Sequence, residues 1–149
     1  MIALAENKKV FFEYEILETY EAGIILLGQE VKSIRLGHAQ LAGSYVVVKE
    51  EELWLVGATV PPYQPKNAPA DYNPQRPRKL LLQKSEINYL LGKAQQKGLT
   101  LVPIKMYTKH DKIKLLFGIA RGRKKRGKKE LLKKRAVVRE VHRELRARG

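Results

Sequence analysis

The stretch LTLVPIKMYTKHDKIKLLFGIA, residues 99–120, contains two long apolar runs separated by a short polar segment. The runs cover residues 99–108 and 112–120 and are rich in aliphatic and aromatic side chains, which favour β-strands. His110 and Asp111 lie between the runs, and polar residues of this kind collect in turns. The stretch therefore predicts a long antiparallel hairpin at the end of the folded body.

Further strands are predicted upstream of this hairpin. Residues 10–20 alternate between apolar and polar, often acidic, side chains, which is the pattern of a half-buried strand. The triplet Glu21-Ala22-Gly23 is expected to end that strand, and Glu50-Glu51-Glu52 is expected to form the solvated tip of a hairpin. The predicted upstream strands are Val10–Tyr20, Ile24–Leu27, Ser44–Val48, Leu53–Val60 and Leu80–Gln83.

Two helices are predicted between the strands. The first spans residues 29–36, and on it Lys32 and Arg35 share one outward side, because residues three apart are neighbours on a helix. The second begins near Ser85, a favourable N-cap, and ends before Gly98.

A proline-rich loop separates the strands at 53–60 and 80–83. Six of the seven prolines lie between residues 61 and 77, a density that no regular helix or strand tolerates. Loops of this length inside a compact body are usually functional or disordered.

These elements predict a mainly β fold. Six or seven mostly antiparallel strands on a body of about 120 residues suggest a small closed barrel. An oligonucleotide-binding (OB) type antiparallel β-barrel with two or three helices fits the mixture of hairpins and inserted helices. We expect residues 1–120 to form this body and residues 121–149 to form a basic C-terminal tail.

The charge distribution separates the tail from the body. The chain has a net charge of +15, and residues 121–149 hold fourteen Lys or Arg against three acids. The body holds sixteen basic and twelve acidic side chains. Mutual repulsion is expected to keep the tail disordered when free. The expected partner of such a cationic segment is a nucleic acid, and a solubilising tail without a partner is the alternative.

Composition disfavours several other classes of protein. The chain has no cysteine, which excludes disulfides and thiolate metal sites. No apolar run approaches the roughly 18 residues that span a bilayer, and the apolar start at residues 1–5 is too short for a signal peptide. We therefore expect a cytoplasmic protein with no membrane partner. His38, His110 and His142 are scattered, so we predict no enzyme activity, no metal site and no cofactor.

Charged residues of both signs converge on the first connection between strand and helix. Glu21, Glu30, Lys32 and Arg35 all lie near it in sequence. On a surface that faces RNA, a carboxylate can accept hydrogen bonds from base amino groups or orient a neighbouring cation. Ordinary surface charge is the alternative.

Six blocks of sequence stand out together, in a fixed order, across nearly the whole chain. They are Asn7-Lys8-Lys9, Tyr20-Glu21-Ala22-Gly23-Ile24, Gly28-Gln29-Glu30-Val31-Lys32-Ser33-Ile34-Arg35-Leu36-Gly37, Arg78-Lys79-Leu80-Leu81-Leu82, Lys97-Gly98-Leu99-Thr100-Leu101-Val102-Pro103 and Ile119-Ala120-Arg121-Gly122-Arg123-Lys124-Lys125. In content, order and spacing these blocks resemble the SsrA-binding protein family, small protein B (SmpB).

The resemblance implies an OB-type barrel and a tail that is disordered in free solution. It implies binding to the tRNA-like domain of transfer-messenger RNA (tmRNA), which is delivered with elongation factor Tu to stalled ribosomes for rescue by trans-translation. In that family the tail enters the empty messenger channel, lined by rRNA, and becomes helical there. The family protein itself catalyses no reaction.

The resemblance also assigns roles to residues. Asn7, Glu21 and Leu81 match family positions that are important for binding the RNA, and Gly23 lies in the same block as Glu21. Leu81 would pack on a sugar or base, or would hold a loop in shape. Charge and position add the candidates Lys8, Lys9, Lys32, Arg35, Arg78 and Lys79. The candidates for ribosome binding in the tail are Arg121, Arg123, Lys124, Lys125, Arg126, Lys128 and Lys129.

The tail departs from the family pattern at one place. Where the family usually continues with Asp-Lys-Arg, this chain has Gly127-Lys128-Lys129. Because glycine disfavours helix interiors by about 1 kcal/mol, we expect the induced helix to begin near Lys128 or later.

Two other functions compete with this interpretation. A structural ribosomal or general RNA-binding protein would share the isoelectric point of about 10.1. A hydrolase or nuclease on an OB-type body would need paired catalytic groups, and no such pair is evident in the sequence.

Overall fold

The computed structural model of this chain describes residues 2–123. Its strands are β1 (Ala3–Glu6), β2 (Tyr14–Ile24), β3 (Tyr45–Lys49), β4 (Glu52–Val56), β5 (Arg78–Leu81), β6 (Leu99–Lys109) and β7 (Lys112–Gly122). Its helices are α1 (Val10–Glu13), α2 (Gly28–Arg35) and α3 (Lys84–Ala94), with a short 3₁₀ turn at Pro65–Asn67. The prediction of a tail that is disordered when free concerns residues that lie almost entirely outside this range.

The strands form one sheet that closes on itself. Their order is β1-β6-β3-β4-β5-β2-β7, and β6 and β7 also pair with each other along their whole length. The other edge of β6 pairs with β3 near its start and with β1 near its end. Every pairing within residues 2–123 is antiparallel. The result is a ring of six strands with β1 added outside it, which resembles an OB-type barrel and confirms the predicted mainly β class.

The inward side chains of this ring form the main core. Leu55, Leu115 and Phe117 are fully buried, and the helices contribute Ile34 from α2 and Leu90 from α3 to the same cluster. Burying each side chain of this size stabilises the fold by about 1.5–3 kcal/mol.

Strand β2 differs from the two separate strands predicted there. It starts at Tyr14, continues through Glu21-Ala22-Gly23 without a break, and ends at Ile24. The triplet does not end the strand because its backbone pairs with β7 on one side and, at Gly23, with β5 on the other. The prediction of a second strand at residues 24–27 is therefore wrong, since pairing on both edges outweighs the turn preference of glycine.

Residues 10–13 form the short helix α1 rather than the start of a strand. Val10 is buried with Val102, Ile104 and Ala120 in a small second core outside the ring. Burial against β6 and β7 thus decides the conformation here, where the alternating pattern alone suggests a strand. β1 is absent from the sequence prediction because four residues carry too little periodicity.

The predicted hairpins are confirmed, although β4 ends at Val56, four residues before its predicted end. Glu50 and Glu51 connect β3 to β4, and His110 and Asp111 connect β6 to β7. All four residues have φ between 51° and 62°, which is the conformation of two-residue type I′ turns. Each pair of strands is thereby joined with the twist that a sheet requires.

Several boundaries shift relative to the sequence. β5 begins at Arg78, two residues before its predicted start, and the N-cap of α3 is Gln83 instead of Ser85. The strand β7 includes Arg121 and Gly122, so the body continues past the predicted boundary at residue 120. None of the helices within residues 2–123 is long and apolar enough to cross a membrane.

The two long strands β2 and β7 approach each other closely at Gly118. A Cβ atom at this position would lie 2.8 Å from the Glu18 carbonyl oxygen and 2.9 Å from Cγ2 of Ile16. β2 carries a bulge between Ile16 and Glu18 at the same level. Only glycine therefore fits here without moving the backbone of β2.

Candidate nucleic-acid interface

One row of residues crosses the outer face of four neighbouring strands. Tyr107 on β6 pairs with Lys114 on β7, Lys114 pairs with Gly23 on β2, and Gly23 pairs with Leu81 on β5. Directly paired residues point to the same face of a sheet. Leu80, which precedes Leu81 and points the opposite way, is buried in the core. The row therefore lies on the outside of the barrel.

Glu21 lies on the same face, one outward position before Gly23 on β2. Its carboxylate accepts a hydrogen bond from the Tyr107 hydroxyl, and Nζ of Lys109 lies 3.3 and 3.4 Å from its two oxygens. The Tyr107 hydrogen bond, followed by the contact and charge of Lys109 and the charge of Lys114, holds the pKa of Glu21 below its ordinary value despite partial desolvation. Glu21 is therefore an ionised acceptor within a basic surface.

Gly23 has no side chain, so the outer face of β2 next to Glu21 is not covered at this position. A Cβ atom on Gly23 would contact Cβ and Cδ1 of Leu81 at 3.4 and 3.7 Å and Nζ of Lys114 at 3.8 Å. The Leu81 side chain is 51% exposed. An apolar side chain on β5 and a cation on β7 thus flank Gly23, one outward position from the acceptor Glu21 on β2.

Asn7 lies between β1 and α1. Its side-chain amide donates to the Pro103 carbonyl at 3.0 Å, and its backbone N–H donates to the Ile104 carbonyl at 2.8 Å. These bonds attach the segment to β6 and hold the exposed Lys8 and Lys9 that follow. The Asn7 side chain therefore fixes the position of this segment on β6.

The two basic residues of α2 face outward as predicted. Nζ of Lys32 lies 5.4 Å from the centre of the Tyr63 ring, within the range of a cation–π contact. Nη2 of Arg35 donates to the Asp111 carbonyl at 2.9 Å, which joins α2 to the turn between β6 and β7. Arg35 therefore lies beside the turn that follows Lys109, whereas Lys32 lies against the proline-rich loop.

Two adjacent basic residues of β5 have opposite environments. Lys79 is on the outer face, where its Nζ lies 3.1 Å from a carboxylate oxygen of Glu52. Arg78 points inward and is 0% exposed. Its placement contradicts the expectation of an RNA contact. Consecutive residues of a strand point to opposite faces, and the inward guanidinium of Arg78 donates hydrogen bonds to Glu30.

Arg78 belongs to a buried network centred on Glu30. Nε and Nη2 of Arg78 donate to one Glu30 oxygen at 2.9 and 2.6 Å, and Arg76 donates to both oxygens. The Tyr72 hydroxyl donates at 3.0 Å, and the Leu27 N–H donates at 2.8 Å at the start of α2. Burial alone would raise the pKa of Glu30, but the bonds from Arg76 and Leu27 and the charge of Arg78 outweigh it and lower the pKa. Glu30 thus ties the proline-rich loop to α2 and does not face an external ligand.

The start of the predicted tail is part of the folded body. Arg121 lies in β7 between Glu15 and Leu99, and Nε and Nη2 of Arg123 donate to the Phe11 carbonyl at 3.1 and 2.9 Å. The remaining tail candidates lie outside the described residues; they are Lys124, Lys125, Arg126, Lys128 and Lys129.

Three residues of this surface are missing from the sequence-based candidates, namely Tyr107, Lys109 and Lys114. One signal was available for the first two, because Lys105, Tyr107 and Lys109 alternate along β6. The pairing that brings Lys114 to Gly23 is a long-range property and has no local signal. Within residues 2–123 no three metal-ligating side chains form a group that could hold an ion.

Known proteins are similar to this chain in both sequence and fold. The sequence model of the SmpB protein family matches residues 4–147. The SsrA-binding protein of Thermosynechococcus vestitus is 46% identical over 145 residues, which cover 97% of this chain and 95% of that protein. The SsrA-binding protein of Carboxydothermus hydrogenoformans is 48% identical over 145 residues, covering 97% of each.

Among solved structures, a chain from the work described as "tmRNA-SmpB: a journey to the center of the bacterial ribosome" is 49% identical. Its TM-score is 0.68, and the match covers 83% of this chain and 86% of that chain. The family match over nearly the whole sequence, together with these relatives, shows that the chain belongs to the SmpB family.

Proposed function

We propose that this chain is an RNA-binding protein of trans-translation. It binds the tRNA-like domain of tmRNA and helps deliver that RNA to the vacant A site of stalled ribosomes for rescue and peptide tagging. The names of the SsrA-binding relatives and of the tmRNA-SmpB structure support this function. The protein acts in the cytoplasm by binding alone, and elongation factor Tu takes part indirectly, through the charged RNA.

The observation that carries the proposal is the convergence of Glu21, Gly23 and Leu81. Gly23 and Leu81 come from two distant sequence blocks and pair across β2 and β5, and Glu21 lies one outward position from Gly23 on β2. Lys109 and Lys114 lie beside them. An acceptor suits a base edge, an exposed leucine suits the face of a base or sugar, and lysines suit phosphates. The surface thus matches the three parts of a nucleotide.

The other exposed cations extend this surface. Lys8 and Lys9, held in place by Asn7, lie at one side, and Lys32 and Arg35 lie on α2. In our proposal they contact phosphates and strengthen binding without selecting a sequence. Arg78 is not among the contacts, because it is buried with Glu30.

The tail supplies the second part of the proposed function. We assign the tail that follows Arg123 to the rRNA of the decoding centre and the empty messenger channel, where the tail becomes helical. Arg123 fixes the point of departure beside α1 through its bonds to the Phe11 carbonyl. A chain truncated after Arg123 is expected to bind the tRNA-like domain with nearly unchanged specificity and to lose tagging on stalled ribosomes. Loss of both together would mean that the tail also supplies the RNA specificity.

Competition binding tests the function of the body. The wild-type protein is measured against the tRNA-like domain with ordinary tRNA as competitor, beside Leu81→Ala and the matched control Leu17→Ala, an exposed leucine in the first half of β2. Leu81→Ala is expected to weaken binding by roughly tenfold, since burying a leucine side chain against a base or sugar contributes about 1.5–3 kcal/mol, and Leu17→Ala is expected to leave it unchanged.

Two results would contradict the proposal. One is equal wild-type affinity for unrelated RNA hairpins at about 150 mM salt, a concentration that screens nonspecific attraction. The other is stable retention in translating ribosomes that lack tmRNA, which is the behaviour of a general ribosomal protein.

A further inference from the structure

We propose that Tyr107 is a positioning residue of the RNA interface. Its hydroxyl holds one oxygen of the Glu21 carboxylate, so that the other oxygen is presented to an exocyclic amino group of an RNA base. The inference rests on the proposed function and adds the residue through which Glu21 would select its RNA.

Tyr107 is itself held rigidly. Only 3% of it is exposed, although it points to the outer face of β6. Nζ of Lys105 lies 5.7 Å from the centre of its ring, and β1 runs alongside with Ala3 opposite Tyr107. The hydroxyl at the end of this fixed ring donates to Oε2 of Glu21. A buried ring provides a donor whose position does not change when solvent or salt changes.

Lys109 cannot provide the same constraint. Its Nζ is 3.3 Å from Oε1 and 3.4 Å from Oε2 of Glu21, so it favours neither oxygen. A lysine is a point charge on a flexible stem, and the Lys109 side chain is 43% exposed. Lys109 therefore balances the charge of the carboxylate, while Tyr107 sets its orientation.

The carboxylate keeps room for an external donor. The Glu21 side chain is 33% exposed, and each carboxylate oxygen has two lone pairs. Amino groups on adenine, cytosine and guanine are donors of the right kind, whereas a phosphate is repelled by the negative charge. An oriented Glu21 thus discriminates between RNAs by a base edge, and the lysines around it bind the backbone.

The test is the Tyr107→Phe substitution, which keeps the ring and removes only the hydroxyl. Its affinity for the tRNA-like domain is expected to fall about three- to tenfold, the effect of one hydrogen bond, with no change for an unrelated hairpin and none in the salt slope. In a Glu21→Ala background, Tyr107→Phe is expected to cause no further loss, because its effect passes through Glu21. Additive losses would overturn the proposal.

Tyr89→Phe is the matched control. It removes a tyrosine-to-glutamate hydrogen bond of the same kind, 3.0 Å from the Tyr89 hydroxyl to Glu18, at the other half of β2. It is expected to bind like the wild type. Thermal melting of each variant checks that it is folded.

The pH dependence of RNA binding distinguishes a positioning role of Tyr107 from a purely structural one. The charged groups that act on Glu21 are Lys109 on β6 and Lys114 on β7, while Lys105 lies at the Tyr107 ring, and Tyr107 makes the largest contribution to the lowered pKa of Glu21. Tyr107→Phe should therefore shift the acid loss of RNA binding to higher pH, and an unshifted profile would refute the proposal. If the wild type does not prefer the tRNA-like domain, the proposed function fails. If it does and Tyr107→Phe binds equally well, only the inference about Tyr107 fails.

Discussion

Glu21 and Glu30 lie on either side of the connection between β2 and α2, and both have a pKa below the ordinary value. Their surroundings are nevertheless opposite. The Glu30 side chain is 0% exposed and receives donors from Arg76, Arg78, Tyr72 and a backbone N–H. Glu21 is partly exposed and has one tyrosine and one lysine as partners.

The comparison shows what separates a structural carboxylate from one that can recognise a ligand. The oxygens of Glu30 are saturated by groups of the protein, so it joins α2 to the proline-rich loop and has no capacity for an external donor. Glu21 retains that capacity. A lowered pKa by itself identifies neither role, because ion-pair networks and binding sites both produce it.

The largest expected effect comes from breaking the buried network. Arg78→Ala should lower the free energy of unfolding by about 3–5 kcal/mol, because it leaves the charge of Glu30 buried with fewer partners. Urea denaturation measures this loss. The adjacent Lys79→Ala removes a partly exposed ion pair with Glu52 and should lower the free energy of unfolding by at most about 1 kcal/mol. Equal losses would mean that the Glu30 network does not support the fold.

Glu21→Ala is expected to reduce RNA affinity, in contrast to Arg78→Ala, which reduces stability. It should weaken binding to the tRNA-like domain by about 2 kcal/mol, roughly thirtyfold, as hydrogen bonds to a charged group are lost. The salt slope should stay nearly constant, because no cation is removed. Glu18→Ala, which removes the same charge from the same strand, is the control in these titrations and should bind like the wild type. A steeper slope for Glu21→Ala would contradict the assigned role.

Acid should affect the two glutamates unequally. Because the pKa of Glu30 is lowered from 4.5, its stabilisation is complete above about pH 4.5 and is lost as the pH falls through the lower, folded value. Urea midpoints measured against pH should therefore decline in acid. Glu30→Gln should flatten that decline more than Glu21→Gln, since Glu21 is partly screened by solvent. The reverse order would make Glu21 the structural carboxylate.

The smallest expected effect belongs to Lys114, the cation closest to Gly23. Lys114→Ala should remove one phosphate contact and about 1 kcal/mol of affinity, and should reduce the salt slope by roughly 0.7 to 0.9. Affinities at a series of salt concentrations give the slope directly. A loss confined to the tRNA-like domain, with an unchanged slope, would assign Lys114 to base recognition together with Glu21.

Two pairs of basic residues show which side-chain orientations can be predicted from the sequence of this protein. Lys32 and Arg35 are predicted to face outward, and they do, because helical spacing is a local property. Arg78 and Lys79 look equivalent in sequence, yet Arg78 is buried and Lys79 is partly exposed. The sequence predicts that β5 starts at Leu80 instead of Arg78, so the alternation of strand faces is not applied to Arg78 and Lys79. The partner of Arg78 is Glu30, and no local pattern connects two residues so far apart in the chain.

Local sequence patterns are enough to establish the mainly β class, the two hairpins with their polar turns, the outward face of α2 and the division between a weakly charged body and a strongly basic end. These follow from periodicity, turn chemistry and net charge, which act over a few residues. The structural role of Glu30, the partial exposure of Glu21 and the positions of Tyr107 and Lys114 beside Glu21 all follow from the three-dimensional arrangement of the strands. Those assignments depend on which strands pair across the closed ring, and pairing between distant segments is set by the packing of the whole barrel.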